Sequence, residues 1–168
     1  HIFRRYFDRI PFQIEEEHAE YVGMFVRTLC ELGKGHELNF YMGELERYYE
    51  KTKSPVIAYP LAVIYRSLPE PRHEQARKLF EEIIRDPSSG DLQIKARMML
   101  AHYYDWKMND TSACRELIFS IQEPRDTSLR FLWLIWKAKI LRDEKKYDEA
   151  ERLLDRVVQL GSVFMEHL

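Results

Sequence analysis

The segment Ala76-Arg-Lys-Leu-Phe-Glu-Glu-Ile-Ile84 decides the fold, because its pattern returns twice further along the chain. A small residue is followed three, four and seven positions later by apolar side chains, which together form one face of an α-helix. Residues 114–122 and 150–158 repeat this pattern, and the spacings from Ala76 to Cys114 and from Cys114 to Ala150 are 38 and 36 residues. A period of this length predicts a solenoid of stacked helix pairs, in which no pair buries its own apolar face.

A second series of small residues lies in the predicted helix before each of these segments. Its members Gly23, Ala62, Ala101 and Ala138 are 39, 39 and 37 residues apart, and large apolar residues follow each of them. Helices pack at axial distances of about 8–10 Å only where the side chains between them permit it. The two series predict a single all-α domain, an αα-superhelix of about four antiparallel helix pairs over residues 13–53, 54–88, 91–123 and 127–160.

Helix-breaking and capping residues fall between these predicted helices. Ser54-Pro55 opens the second pair, Asn109–Ser112 supplies a helix cap, and residues 124–128 divide the third pair from the fourth. Pro60 predicts a kink or a late helix start near Tyr59, because proline lacks the backbone N–H. Gly161-Ser162 predicts the end of the last unit.

The run Lys146-Tyr-Asp-Glu-Ala150 lies between the small Ala138 and the apolar Leu154. On these residues, the unit Phe131–Leu160 resembles a tetratricopeptide repeat. Lys137 and Lys145 depart from the family pattern, in which a leucine and a glycine are common at these positions. The resemblance implies a right-handed superhelix (TPR-like) with a concave groove that binds a protein or peptide.

The resemblance also implies which residues line the groove. The inward positions of each first helix lie three before, and one and four after, the small residue, and Trp106 lies at the edge. The partner-binding residues predicted on this basis are Met24, Arg27, Tyr59, Val63, Arg66, Met98, His102, Asp105, Trp106, Ile135, Lys139 and Arg142. Because these include more cations than acids, we expect an acidic partner segment with apolar anchors.

The sequence contains only incomplete copies of catalytic or metal-binding motifs. Glu15-Glu-Glu-His18 has the Glu-x-x-His spacing of a di-iron ligand pair, but the second copy that such a site needs is missing. His36-Glu37 and His73-Glu74 lack the second histidine of a zinc protease motif. We therefore expect no enzyme, no metal site and no cofactor.

The composition narrows the remaining function classes. Charged residues make up 32% of the chain, yet the net charge is only −2, whereas nucleic-acid binders usually carry a basic excess. No apolar run approaches the roughly 18–20 residues of a membrane span, so we expect no membrane insertion. Two distant cysteines favour a reducing, cytoplasmic compartment. The start at His1 lacks a methionine and a signal region, which indicates a piece of a longer chain.

A non-catalytic protein–protein interaction module is therefore the leading interpretation. The alternative is a regulatory or sensor segment of a larger multidomain transcriptional or signalling protein. A nucleic-acid-binding helical repeat is third. The aromatic residues of the stretches 103–106 and 131–136 favour it because bases stack on such rings, although core packing explains them better.

Overall fold

The computed structural model describes Thr28, Leu32, residues 35–68 and residues 70–165, and all regular structure in these ranges is helical. Its α-helices are α1 Gly35–Thr52, α2 Pro55–Ser67, α3 His73–Arg85, α4 Asp91–Tyr103, α5 Thr111–Phe119, α6 Thr127–Asp143 and α7 Tyr147–Met165. They form two compact units, of which the first ends at Ser89 and the second begins at Gly90. The predicted all-α class and the packing of neighbouring helices in pairs are confirmed for the described residues.

The first unit is built around α2, which packs against both α1 and α3. Pro55 occupies the first turn of α2, where the missing N–H has no helical partner to lose. The Tyr59 and Phe80 ring centroids are 5.9 Å apart, and the N–H of Arg72 donates to the Tyr65 carbonyl at 2.8 Å. Tyr59 thus lies opposite Phe80 and Tyr65 opposite Arg72; because these contacts advance in opposite directions along α2 and α3, the two helices are antiparallel.

The apolar spacing of α3 produces a buried stripe. Ala76, Leu79, Phe80 and Ile83 are buried, whereas the charged residues between them reach solvent. Burying a side chain as large as that of Phe80 contributes roughly 1.5–3 kcal/mol to stability. The segment quoted first thus forms the helix that its pattern predicts.

The helices of the second unit begin at side-chain caps. Asp110 accepts a hydrogen bond from the Ala113 N–H at 2.9 Å, and Asp126 accepts one from the Leu129 N–H at 2.8 Å. Such a cap satisfies an N–H that has no partner within the helix and contributes about 1 kcal/mol. Both caps lie in the segments that the sequence predicts as helix starts.

The core of the second unit is formed mainly by α4, α5 and α6. Ala101, Cys114 and Ile118 pack in one buried cluster with Trp133 and Leu134. The Trp133 indole Nε1–H donates to the Ile118 carbonyl at 3.2 Å, so the buried ring has a partner for its polar atom. α7 covers this cluster with half-buried apolar side chains and packs closely along α6.

The small residues of both series are buried wherever their side chains are described. They are Ala62, Ala76, Ala101, Cys114, Ala138 and Ala150. This burial agrees with the predicted role in close helix packing. Gly23 lies outside the described residues.

One predicted helix boundary is wrong. α2 has the predicted bounds Pro55–Ser67, so the late start near Tyr59 is not found, and the helix continues through the buried Pro60 because only one backbone hydrogen bond is lost there. α7 continues through Gly161 to Met165, beyond the predicted boundary at residue 160. A single helical glycine costs only about 1 kcal/mol, which is too little to end a helix that packs along α6.

The connection from α6 to α7 is a tight turn that contains a left-handed residue. Lys145 has a φ of 63°, which glycine adopts far more readily than lysine. The N–H of Lys146 donates to the Leu141 carbonyl and the N–H of Lys145 to the Arg142 carbonyl, both at 2.9 Å. These two bonds form a Schellman motif, in which the left-handed residue ends the helix.

Candidate functional site

A π-helical turn at Tyr104–Met108 continues α4 and presents an exposed tryptophan. The turn ends at Asn109, whose φ of 51° is a conformation that asparagine tolerates, and the Asp110 N–H donates to the Tyr104 carbonyl at 2.9 Å. Trp106 is 70% exposed, although an indole is one of the largest apolar side chains. π-Helical turns are rare in proteins, and this one forms the C-terminal end of α4.

α4 and α6 lie side by side beneath this turn. The His102 ring meets the Trp136 ring edge-on at a centroid distance of 6.1 Å. One turn further along both helices, Lys139 Nζ lies 2.8 Å from each carboxylate oxygen of Asp105. Because the two contacts advance in the same direction along both helices, α4 and α6 run parallel.

The aromatic rings here form a continuous group. The His102 and Trp106 rings are stacked at 6.4 Å with an interplanar angle of 27°. The Lys139 ammonium lies 5.5 Å from the centroid of Trp136, which is within the range of a cation–π interaction. The exposed Trp106 indole is therefore stacked on His102, which in turn contacts Trp136.

The charges at this site balance one another. Burial lowers the pKa of Lys139, but hydrogen bonds and charge from Asp105 and Asp143 outweigh it, so the pKa is raised overall. The hydrogen bonds from Arg142, one of them 2.8 Å long, hold the pKa of Asp143 below its usual range, and Lys139 adds to this effect. Two cations are thus matched by two carboxylates among these four residues.

Six of the predicted groove residues lie in this region of the second unit. We use the term Trp106 surface for His102, Asp105, Trp106, Ile135, Lys139 and Arg142. Ile135 is 38% exposed and lies one turn before Lys139 on the same face of α6. Direct contacts join four of these residues in two pairs, and Arg142 is linked to Lys139 through Asp143.

Other predicted groove residues lie elsewhere. Met98 is only 7% exposed and packs in the core of the second unit, so its side chain does not line a surface groove. In the first unit Tyr59 packs on Phe80, and Val63 is half-buried. Arg66 is also half-buried, and burial lowers its pKa although Tyr59 acts in the opposite direction. Met24 and Arg27 lie outside the described residues.

Two side chains of the site were not predicted as part of it. Trp136, for which core packing is the predicted role, packs half-buried against the core of the second unit and also contacts both His102 and Lys139. Asp143 lies four residues after Lys139 on one helix, a spacing that brings opposite charges together. That spacing is a signal by which Asp143 can be found from sequence.

Comparisons with known proteins assign no family, since no family model, no curated protein and no solved structure matches the chain. In the part of the chain that the structure describes, no group of three or more histidine, cysteine, aspartate or glutamate side chains is arranged to hold a metal ion. No helix within the same residues is long and apolar enough to cross a bilayer.

Proposed function

We propose that this chain is a non-catalytic helical-repeat module that binds a protein or peptide partner through the Trp106 surface. The observation that carries the proposal is the 70% exposure of the Trp106 indole, which stacks on the His102 ring. Tryptophan is enriched among the residues that dominate binding energy at interfaces, because it buries a large apolar area with few rotatable bonds. The exposed Ile135 and Met108 provide further apolar area in the same unit.

The partner proposed here presents apolar or aromatic anchors. Lys139 is bound to Asp105 and Asp143, and Arg142 is bound to Asp143, so an acidic segment gains little from these cations. The proposal therefore keeps the apolar anchors of the sequence-based prediction and sets the acidic segment aside. Burial of the partner's anchor against Trp106 would supply most of the affinity.

We further propose that the four helix pairs stack as a TPR-like superhelix. The repeat spacing and the burial of the small residues support this arrangement. The proposal also places the protein in the cytoplasm. The buried free thiol of Cys114 supports a reducing compartment.

The test is affinity capture with the wild-type chain, with Trp106→Ala and with Tyr147→Ala as the matched control. Tyr147 is 62% exposed on α7, so the control also removes an exposed aromatic side chain. We expect a partner that the wild type and the control both retain and that Trp106→Ala loses. Equal retention by all three chains would contradict the proposal.

Salt dependence separates this proposal from the nucleic-acid alternative. With a protein partner anchored by apolar contacts, we expect the Kd to change less than about threefold between roughly 0.1 and 1 M salt, because screening acts mainly on exposed charges. A captured single-stranded RNA whose affinity falls steeply with salt would favour the alternative instead.

A further inference from the structure

A pocket of about 320 Å³ lies in the first unit, where three helix ends meet. Its lining comes from the last turn of α1 with the following lysine, the first turn of α2 and the end of α3, namely Tyr49, Lys53, Pro55, Ala58, Glu82, Ile83 and Asp86. Ala58 and Ile83 are buried and form its apolar base. An apolar base with a few convergent polar groups is the usual character of a ligand site.

The charges around the pocket favour a cation. Glu82 and Asp86 lie one helical turn apart at the end of α3, and Lys53 is the one cation among the described lining residues. Hydrogen bonds from Ser88 lower the pKa of Asp86, so this carboxylate is ionised at neutral pH. The C-terminal ends of α1 and α3 add partial negative charge, which outnumbers the partial positive charge of the one N-terminal end, that of α2.

The Tyr49 ring already accepts a cation. Lys53 Nζ lies 4.9 Å from the ring centroid, and the Tyr49 hydroxyl donates to the Glu82 carboxylate. Burial, aided by Glu82, raises the pKa of Tyr49, so the phenol stays neutral and its ring remains attractive to positive charge. The Lys53 side chain is exposed and lies over the Tyr49 ring, so a second cation can displace it.

We propose that this pocket binds the guanidinium group of an arginine side chain carried by a partner protein, in place of the Lys53 ammonium. The planar guanidinium would stack on the Tyr49 ring and direct its N–H groups toward Glu82 and Asp86. Its aliphatic stem would lie against Ala58 and Ile83. The site is distinct from the Trp106 surface, and the inference does not depend on the function proposed for that surface.

The first experiment titrates the full chain with N-acetyl-arginine amide and with N-acetyl-citrulline amide, a neutral probe of nearly the same shape. Binding is followed by NMR through the backbone amides of Ala58 and Ile83. We expect the arginine probe to bind at least ~tenfold more tightly, because its charged hydrogen bonds are about twice as strong as neutral ones. Equal binding of the two probes would overturn the proposal.

The second experiment uses variants with opposite expected effects. Glu82→Gln keeps an acceptor for the Tyr49 hydroxyl, and it should weaken the arginine probe about tenfold, as should Asp86→Asn. Lys53→Met removes the competing cation and should tighten binding about threefold. Lys51→Met is the matched control, since it removes the same charge outside the pocket and should leave binding unchanged.

The comparison of Lys53→Met with Lys51→Met is the most discriminating measurement. A merely electrostatic attraction to the whole chain would respond equally to Lys51→Met and Lys53→Met, and that result would overturn the assigned site. Unchanged or weaker binding in Lys53→Met would overturn it as well.

A third titration distinguishes the source of the arginine. A blocked Gly-Arg-Gly peptide should bind at least as well as N-acetyl-arginine amide. If the peptide fails to bind while the amide binds, the pocket takes a small guanidinium molecule, and the assignment of a partner protein is wrong.

Discussion

Replacing Lys145 by glycine should stabilise the second unit, although the change removes a whole side chain. Lys145 has a φ of 63°, and this left-handed conformation costs a residue with a Cβ roughly 1–2 kcal/mol. The side chain is exposed and makes no hydrogen bond or ion pair with the described part of the chain, so no contact is lost. Glycine loses more backbone entropy on folding, which offsets about 0.5–1 kcal/mol of the gain. The net expected stabilisation is about 0.5–1 kcal/mol.

The measurement is urea unfolding of the full chain, followed by circular dichroism and compared with two variants. Lys145→Ala keeps the Cβ and should change the free energy of unfolding by less than about 0.5 kcal/mol. Lys146, the next residue, has no left-handed backbone conformation and forms an ion pair with Glu144. Lys146→Gly removes this ion pair and adds the backbone entropy of glycine, so this variant should destabilise the chain by about 0.5–1 kcal/mol. If Lys145→Gly were no more stable than Lys145→Ala, the left-handed turn would not carry the strain assigned to it.

Three further predictions concern the core of the second unit. Ala138→Leu should lower the free energy of unfolding by about 1–3 kcal/mol through overpacking, and an unchanged urea midpoint would refute the packing role of the small residues. Trp133→Phe should cost about 1 kcal/mol in the same assay, because the indole hydrogen bond to the Ile118 carbonyl is lost. Burial raises the pKa of the Cys114 thiol to about 11, so in a Cys30→Ser background iodoacetamide should alkylate the native chain about 100-fold more slowly than the unfolded chain near pH 8. Alkylation of the native and unfolded chains at equal rates would contradict this prediction. Because the pKa of Cys114 is raised in the folded state, the contribution of this thiol to the free energy of unfolding is present below about pH 9 and is lost as the pH rises toward 11.

Local signals in the sequence predict the helices well. Asp110 and Asp126 are caps that act within three residues, and Pro55 is suited to a first turn wherever it occurs. The caps and Pro55 depend only on neighbours along the chain, so local sequence is enough to predict them. The small residues can be predicted for a different reason, because close helix packing favours them at the same position of successive repeats, as at Ala76, Cys114 and Ala150.

The candidate site depends on features that sequence spacing does not contain. The contact between Asp105 and Lys139 requires α4 and α6 to lie at one particular register. Met98 follows the inward-position rule, yet its burial depends on how closely α4 packs into the core of the second unit. The π-helical turn contains no glycine or proline that would mark it, so the exposure of Trp106 was predicted from position alone.

The π-helical turn has an evolutionary consequence. Such a turn differs from an α-helical turn by a single extra residue, because its hydrogen bonds span five residues instead of four. Deleting one residue between Tyr104 and Trp106 would restore a regular helix and rotate the indole by about 100° around the axis. Ala101 and Cys114 lie outside this turn, in the core of the second unit. A one-codon insertion or deletion can therefore change the direction of this indole in a relative.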